Sequence, residues 1–416
     1  MYIGYPYVKK RHMIDSKKIR NDFPQLNGVD NHYLDSAATS LTPQSVLDVV
    51  IDYYTHSRAN VHRGLFPEAI RATDLYEDAR KKVAAFINAE PDEIIFTSGA
   101  TESSNMLVRM IDESLNFTDE EDKNIVTTVM EHHGALIPLQ EFAFRRGIPI
   151  FSIPLQGTEL DYQKAEEMIT DNTILVSAML ASNVTGAIND VARIAAIREK
   201  HHTLMVVDAT AAVGHIPVDV KKLGCDALYF SGHKMFAPTG VGVLWAKKEV
   251  LERMKPTTFG GHMVAHMEEG RGTWADIPER FEAGTKNIAG VIGLGAAIDY
   301  LQHIGVEHIH AYVQELTAYC ISRLGEIPGV TIVAEQDVTK NVGIVSVSCA
   351  WAHPHDIAEI LARDHVAVRA GHHCAIPLHA ALGIDASVRA SFHVYNTKED
   401  VDALIIGLEK ARVIFA

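Results

Sequence analysis

The chain has 416 residues, 47% of them hydrophobic and 22% charged, with a formal net charge of −15. That length exceeds one ordinary core, so one large and one small domain are expected, with the composition of a folded globular protein. The acidic balance opposes non-specific binding to nucleic acid or anionic membrane, where a basic surface is needed.

No uncharged apolar run reaches the length of a membrane span; the longest lie at 288–298 and 173–184. The first twenty residues are basic (Lys9, Lys10, Arg11, Lys17, Lys18, Arg20) and lack the apolar core of a secretory signal. A loosely docked extension is the plainer expectation, and a targeting role the alternative. Cys225, Cys320, Cys349 and Cys374 show no C-x-x-C spacing. Free thiols in a reducing cytoplasm are therefore expected.

From about residue 43 to 305, helical stretches of 3.6-residue periodicity separate short apolar runs at 93–97, 124–129, 149–153, 173–177, 203–207, 227–230 and 242–246. The runs are continuous rather than alternating, as in strands covered on both faces. Repeated strand–helix–strand order predicts an α/β fold with a mostly parallel sheet, whose ligands sit at the carboxyl ends of the strands. A helical region follows at 287–327, with Ile309, Val313, Leu316 and Cys320 on one face. Strands near 330–333 and 342–348, a helix after Pro354, short elements at 366–369 and 387–391, and a last helix opened by a Thr397–Asp400 capping box complete a smaller C-terminal α/β domain. The domain expectation is 1–34 for an N-terminal segment near the small domain, 35–298 for the large domain and 299–416 for the small one.

Chemistry-bearing residues follow several of the strand runs. Residues 94–105 read IIFTSGATESSN. A strand, a glycine turn and a helix start make an anion site, to which Thr101 adds a hydroxyl; a simple helix cap reads equally well. Residues 130–134 read MEHHG, where a His would stack on a flat ring or stand as one of a surface pair. Residues 203–208 read TLMVVD. A carboxylate at a buried strand end would keep a pyridinium nitrogen protonated, or cap the next helix. Residues 227–234 read ALYFSGHK. Ser231 and His233 can reach a phosphate, and Lys234 an aldehyde on the same ligand; an exposed loop lysine is the other reading. Cys374 sits in a short polar loop, RAGHHC, where Arg and His would favour thiolate. Cys320 and Cys349 read as core, and Cys225 has no special setting. A metal site from His372, His373 and Cys374 is a rival, but no second Cys/His pair has ligand spacing, so no metal is expected.

In chain order the sequence carries DSAA (35–38), NVHRG (60–64), SGATES (98–103), MEHH (130–133), SNVTG (182–186), VVD (206–208), SGHK (231–234), FEAGT (281–285), RAGHHCA (369–375), RAS (389–391) and YNT (395–397). This series resembles the cysteine desulfurases of the class V aminotransferase fold, specifically the SufS type, which overlaps with the selenocysteine lyases. The similarity runs from about Asp22 to the C-terminus. It implies the PLP-dependent transferase fold type I and a pyridoxal 5′-phosphate (PLP) cofactor held as a Schiff base on Lys234.

The resemblance also implies roles. Asp208 would face the pyridinium nitrogen, and His132, with His133 beside it, would stack on the ring and take part in catalysis. Ala100, Thr101, Ser231 and His233 would hold the phosphate. Thr285 would reach the phosphate of a neighbouring subunit, which makes a homodimer. Asn183 and Arg389 would bind the substrate carboxylate, with Asn183 also on the cofactor side, and Ala37, His62 and Arg369 would complete the substrate pocket. Cys374 would take sulfur from L-cysteine as a persulfide, leaving L-alanine, and pass it to an acceptor of the SufE or SufU kind for iron–sulfur cluster assembly. The run 261–274 matches the insertion that shields the cysteine loop in this type.

One position departs from the pattern. Ala211 stands where the family places a Gln that donates to the cofactor's phenolic oxygen, with Thr210 or a water as candidate substitutes. The rival readings are selenocysteine lysis, another reaction on the same fold such as transamination or kynureninase-like cleavage, a non-catalytic sulfur-relay protein, and a dinucleotide enzyme. The thiol loop argues against transamination and kynureninase-like cleavage. Retention of Lys234, Asp208, Cys374 and Arg389 together argues against the relay, and the lack of G-x-G-x-x-G after the first strand argues against the dinucleotide enzyme.

Overall fold

The computed structural model describes residues 14–28, 31–114 and 122–416. Lys9, Lys10 and Arg11 of the basic segment lie outside the described residues. Seven strands make the main sheet: β1 (Ile94–Thr97), β2 (Asn124–Thr128), β3 (Ile150–Ile153), β4 (Thr173–Met179), β5 (Leu204–Asp208), β6 (Ala227–Ser231) and β7 (Gly242–Ala246). Their order is β1-β7-β6-β5-β4-β2-β3. Strands β2 to β6 pair in parallel, while β7 runs antiparallel to both β1 and β6. The sheet is thus mixed, with one reversed strand.

The continuous apolar runs have a direct cause. Successive residues of one strand feed two different cores. Ile95, Ile125, Leu175, Val206, Tyr229 and Leu244 pack on one face, against helices Ala100–Ser114 and His133–Arg146. Phe96, Val126, Val176, Val207, Phe230 and Val243 pack on the other. With both faces covered, these six strands leave no position for a solvated polar residue, whereas the edge strand β3 exposes Phe151 and Ser152.

Helix Ile288–Ile304 lies against helix Pro67–Ile87. A Cβ on Gly295 would come within 2.9 Å of the Ala79 Cβ, so glycine permits this close approach. The helical region expected at 287–327 is two helices, Ile288–Ile304 and Val306–Leu324, bent by 72° at Gly305. The division expected at 298/299 falls inside the first of them. Among the described residues no single helix is long and apolar enough to cross a membrane.

The smaller C-terminal sheet has four antiparallel strands, β8 (Val330–Ile332), β9 (Ile344–Cys349), β10 (Arg369–Gly371) and β11 (Ser387–Ser391), in the order β8-β9-β11-β10. Helix Lys398–Phe415 begins with the expected capping box between Thr397 and Asp400. Asp400 also receives Arg20 Nη1 at 3.2 Å and lies 2.7 Å from His32 Nδ1, which ties the N-terminal segment to this helix. The strand His32–Tyr33 pairs in parallel with Val366–Ala367.

Candidate active site

The carboxyl ends of the central strands open into one cavity of about 190 Å³. Asp208 and Ser231 are the last residues of β5 and β6, and Lys234 follows β6 by one tight turn. The turn after β1 reaches the same place. A Cβ on Gly242 would lie 2.4 Å from the Gly99 Cα, so only glycine lets β7 pass beneath that turn. At the start of the helix that follows, the Ala100 N–H donates to Ser231 Oγ at 2.8 Å.

Of the residues singled out in the sequence, Ala37, Ala100, Thr101, His132, Asn183, Asp208, Ser231, His233, Lys234, Arg369, Cys374 and Arg389 line this cavity. Two do not. His62 is turned away: its ring lies 2.9 Å from Glu77 Oε1, and its backbone N–H donates to Thr73 Oγ1 at 2.8 Å. Within this chain it is therefore held by helix Pro67–Ile87 and not in the substrate pocket. Thr285 is exposed, away from the chain's own cavity. Thr210 and Ala211, singled out for the missing Gln, line it too, and Met179, Tyr229 and His373 line it without having been assigned a place there.

Burial sets the charge states. It pushes Lys234 down to about 8, with Arg389 adding to the effect and Asp208 opposing it. An amine so placed is partly neutral near physiological pH and available as a nucleophile. Burial raises the Asp208 carboxyl, while the Thr210 N–H, 2.8 Å from Oδ1, pulls the other way. A buried carboxylate with so little compensation calls for a cationic or N–H partner from a ligand. His132 is brought down to about 4, chiefly by burial and then by Lys234. Its Nδ1 accepts the Gly134 N–H at 2.9 Å, so the neutral ring carries its proton on Nε2. His233 is likewise brought to about 4, chiefly by burial.

Cys374 lies on a strained loop. His373 and Cys374 have φ of 51° and 58°, the left-handed region that non-glycine residues rarely adopt. The loop is held there by Asn183 Nδ2 donating to His373 O at 2.8 Å and by the His133 N–H donating to Cys374 O at 2.7 Å. The other three thiols, Cys225, Cys320 and Cys349, are buried, and burial raises each to about 12. Arg389, 2% exposed, donates from Nη1 to Asn183 O at 2.9 Å and from Nη2 to Asp35 Oδ1 at 3.0 Å.

Four lining residues hold a buried polar atom with no hydrogen-bond partner among the described residues: Asn183 Oδ1, Thr210 Oγ1, His373 Nδ1 and Arg389 Nε. Buried polar groups are normally paired, so the cavity is built for a polar occupant. A poised amine, a buried carboxylate and a strand–turn–helix anion site together have the donor and acceptor chemistry that PLP requires.

The aminotransferase class-V family model matches residues 32–404. A probable cysteine desulfurase of Halalkalibacterium halodurans is 44% identical over 410 residues, covering 97% of this chain and 99% of that protein. One from Streptomyces coelicolor is 42% identical over 412 residues, covering 97% and 98%. The apo cysteine desulfurase of Thermococcus onnurineus NA1 superposes with a TM-score of 0.91 at 38% identity, over 95% of this chain and 98% of that one. The cysteine desulfurase CsdA of Escherichia coli, in its S-sulfonic acid form, gives 0.89 at 36% identity over 99% and 100%. With its strand-end lysine and aspartate and its cavity-facing cysteine, the chain belongs to the class V aminotransferase family and, within it, to the cysteine desulfurases.

Proposed function

We propose that this chain takes sulfur from L-cysteine, releases L-alanine and holds the sulfur as a persulfide on Cys374. The observation that carries this reading is a juxtaposition. The only one of the four thiols that is not buried lines the same cavity as Lys234, Asp208 and Arg389.

Bound PLP would supply an electron sink for breaking the substrate's Cα–H and Cβ–S bonds. Lys234 would hold it as a Schiff base and, as a free amine, would move the Cα proton of bound cysteine. Asp208 would face the ring nitrogen and keep it protonated. Ser231, His233, Thr101 and the Ala100 turn would take the phosphate, and His132 would cover the ring. Arg389, Arg369 and Asn183 hold the substrate carboxylate, which fixes the sulfur in register with Cys374. The Cys374 thiolate attacks that sulfur. The S–S bond forms as the C–S bond breaks, and the released electron pair returns to carbon, which is protonated and leaves as alanine.

The finer reading extends to partners. A homodimer is supported by the exposed Thr285, by an outward apolar stripe, Leu47, Ile51 and Tyr54 on helix Gln44–His56, and by the exposed Leu65 and Phe66. The persulfide would pass to an acceptor protein of the SufE or SufU kind for iron–sulfur cluster assembly. Thiols without disulfide partners suit the reducing cytoplasm.

The test is a single turnover of L-cysteine by the yellow holoenzyme, with mass spectrometry of the Cys374 peptide. One alanine per subunit and one added sulfur at Cys374 are expected. Cys374→Ala should keep its colour, lose alanine formation from cysteine and still act on selenocysteine, whose selenium leaves more easily. Full activity on cysteine in that variant would overturn the role.

A further inference from the structure

The turn that carries Asn183 bridges the two sheets. It leaves the end of β4 and doubles back, and its base is fixed to the main sheet. The Leu180 N–H donates to Asp208 O at 2.8 Å, and Asn189 Nδ2 donates to Met179 O at 2.9 Å.

The tip of the turn is held from the other side. Four successive carbonyls accept from the C-terminal part of the chain. Asn183 O takes Arg389 Nη1 at 2.9 Å, and Val184 O takes Ser346 Oγ at 2.6 Å. Thr185 O takes the Glu335 N–H at 2.8 Å, and Gly186 O takes the Val342 N–H at 3.0 Å. The Ile188 N–H completes the contact on Lys340 O at 2.8 Å. Asn341, fully buried, shapes the segment that receives the turn. Its Nδ2 donates to Glu335 O at 2.8 Å and Ile344 O at 3.0 Å, while its Oδ1 accepts the Gly343 and Ile344 N–H groups at 2.8 and 2.9 Å. Gly186 has φ of 74°, and a Cβ there would lie 2.4 Å from Asn341 Oδ1, so glycine alone permits this approach.

These contacts converge on the groups that meet the substrate. Asn183 is joined through its carbonyl to Arg389 and through Nδ2 to His373 O, beside Cys374. One turn therefore ties Asp208, Arg389 and the cysteine loop together. Ser346 and Asn341 lie outside the cavity. We propose that Ser346 and Asn341 are positioning residues for the substrate carboxylate: by clamping the turn 183–186 they fix Arg389 and Asn183 relative to Asp208 before the substrate arrives. This rests on the reading that Arg389 and Asn183 hold that carboxylate. Groups ordered in advance lose less freedom on binding, so the clamp acts on affinity for the carboxylate and leaves the amino end of the ligand alone.

The test compares two amines that differ only in the carboxylate, L-alanine and ethylamine, each titrated into the yellow holoenzyme and followed by absorbance. Asn341→Ala would strand two buried N–H groups and endanger the fold, so the variant is Ser346→Ala, which removes one hydroxyl. The unmodified enzyme should prefer L-alanine. Ser346→Ala should narrow that preference about three- to tenfold, the worth of one hydrogen bond, by weakening L-alanine while ethylamine stays the same. An unchanged preference overturns the proposal, and so does an equal loss for both amines, which is what a merely loosened cofactor pocket gives. If the unmodified enzyme binds the two alike, the carboxylate assignment of Arg389 and Asn183 itself falls, and the proposal with it. Hydrogen exchange of the unmodified holoenzyme needs no variant. The amides of Ile188, Glu335 and Val342 should be equally protected with and without L-alanine. A marked gain in protection on adding L-alanine would mean that the turn closes only with ligand, and would overturn the advance positioning.

Discussion

Arg389 stands directly opposite Arg369 across the antiparallel pairing of β11 and β10, and both line the cavity. Like charges facing one another across a sheet repel. Asp35 meets only one of the two, through Arg389 Nη2. Burial lowers the Arg389 pKa, and Arg369 adds to that effect. A carboxylate placed between the two guanidinium groups would relieve the repulsion, so substrate binding and local electrostatics are coupled here. Arg369 is exposed, and its removal leaves the buried Arg389 contacts to Asn183 and Asp35 in place. Arg369→Met should therefore raise KM for L-cysteine by about 10- to 100-fold, the value of one charged hydrogen bond. Thermal stability should stay level or rise slightly. Steady-state kinetics and a melting curve check both, and an unchanged KM would remove Arg369 from the substrate site.

The Lys234 amine gives a second expectation. Burial brings it down to about 8, far below the ordinary lysine value of about 10.4. Only the neutral amine attacks an aldehyde. The rate at which cofactor-free protein captures PLP should rise about tenfold per pH unit below 8 and level off above it. Stopped-flow absorbance between pH 6 and about 9.5 reads this directly. A rate still climbing tenfold per unit at the upper end would mean that the amine keeps an ordinary pKa.

Much of this architecture is written in local sequence. The seven apolar runs are strands, within one or two residues at each end; six of them are covered on both faces, and only the edge strand β3 exposes residues, Phe151 and Ser152. Asp208, Ser231 and Lys234 stand out in the sequence because polar residues at the end of such a run are conspicuous. Even the reversal of β7 is implicit, since the ten residues between Ser231 and Gly242 are too few for a parallel crossover. Other features depend on distant contacts. His373, Ser387 and His379 meet only because two left-handed residues turn the cysteine loop back on itself. His62 shares its motif with the substrate-binding set, yet Glu77, fifteen residues on, captures its ring. Ala211 shows as a missing donor in the sequence; in the structure it borders both the main cavity and a smaller one of about 10 Å³ shared with Thr210, His215 and Lys234. That volume approaches the room one water needs.

Glu131 is the residue whose sequence context misleads most. In MEHHG it resembles a surface acid, yet it is fully buried. Its Oε1 accepts from Thr128 Oγ1 at 2.7 Å and from the Met179 N–H at 2.9 Å, while Oε2 has no hydrogen-bond partner among the described residues. Burial raises its pKa to about 8, with the Asp208 charge adding and the Thr128 and Met179 bonds opposing. In the folded protein the carboxyl is therefore protonated at neutral pH, whereas in the unfolded chain it ionises near its ordinary value of about 4.3. Between those two values the folded state binds more protons than the unfolded one, so this group's contribution to stability is full below about 4.3 and is lost as pH rises to about 8. Glu131→Gln keeps the shape and the Oε1 acceptor and removes the titration. The variant should gain stability relative to the parent as pH rises through that window, by at most about 1.4 kcal/mol per pH unit, and the difference should flatten above about 8. Denaturant unfolding of both proteins from pH 5 to about 9 measures it. A difference that does not change with pH would mean that Glu131 is ionised in the fold, with a cation or ligand beside it at neutral pH.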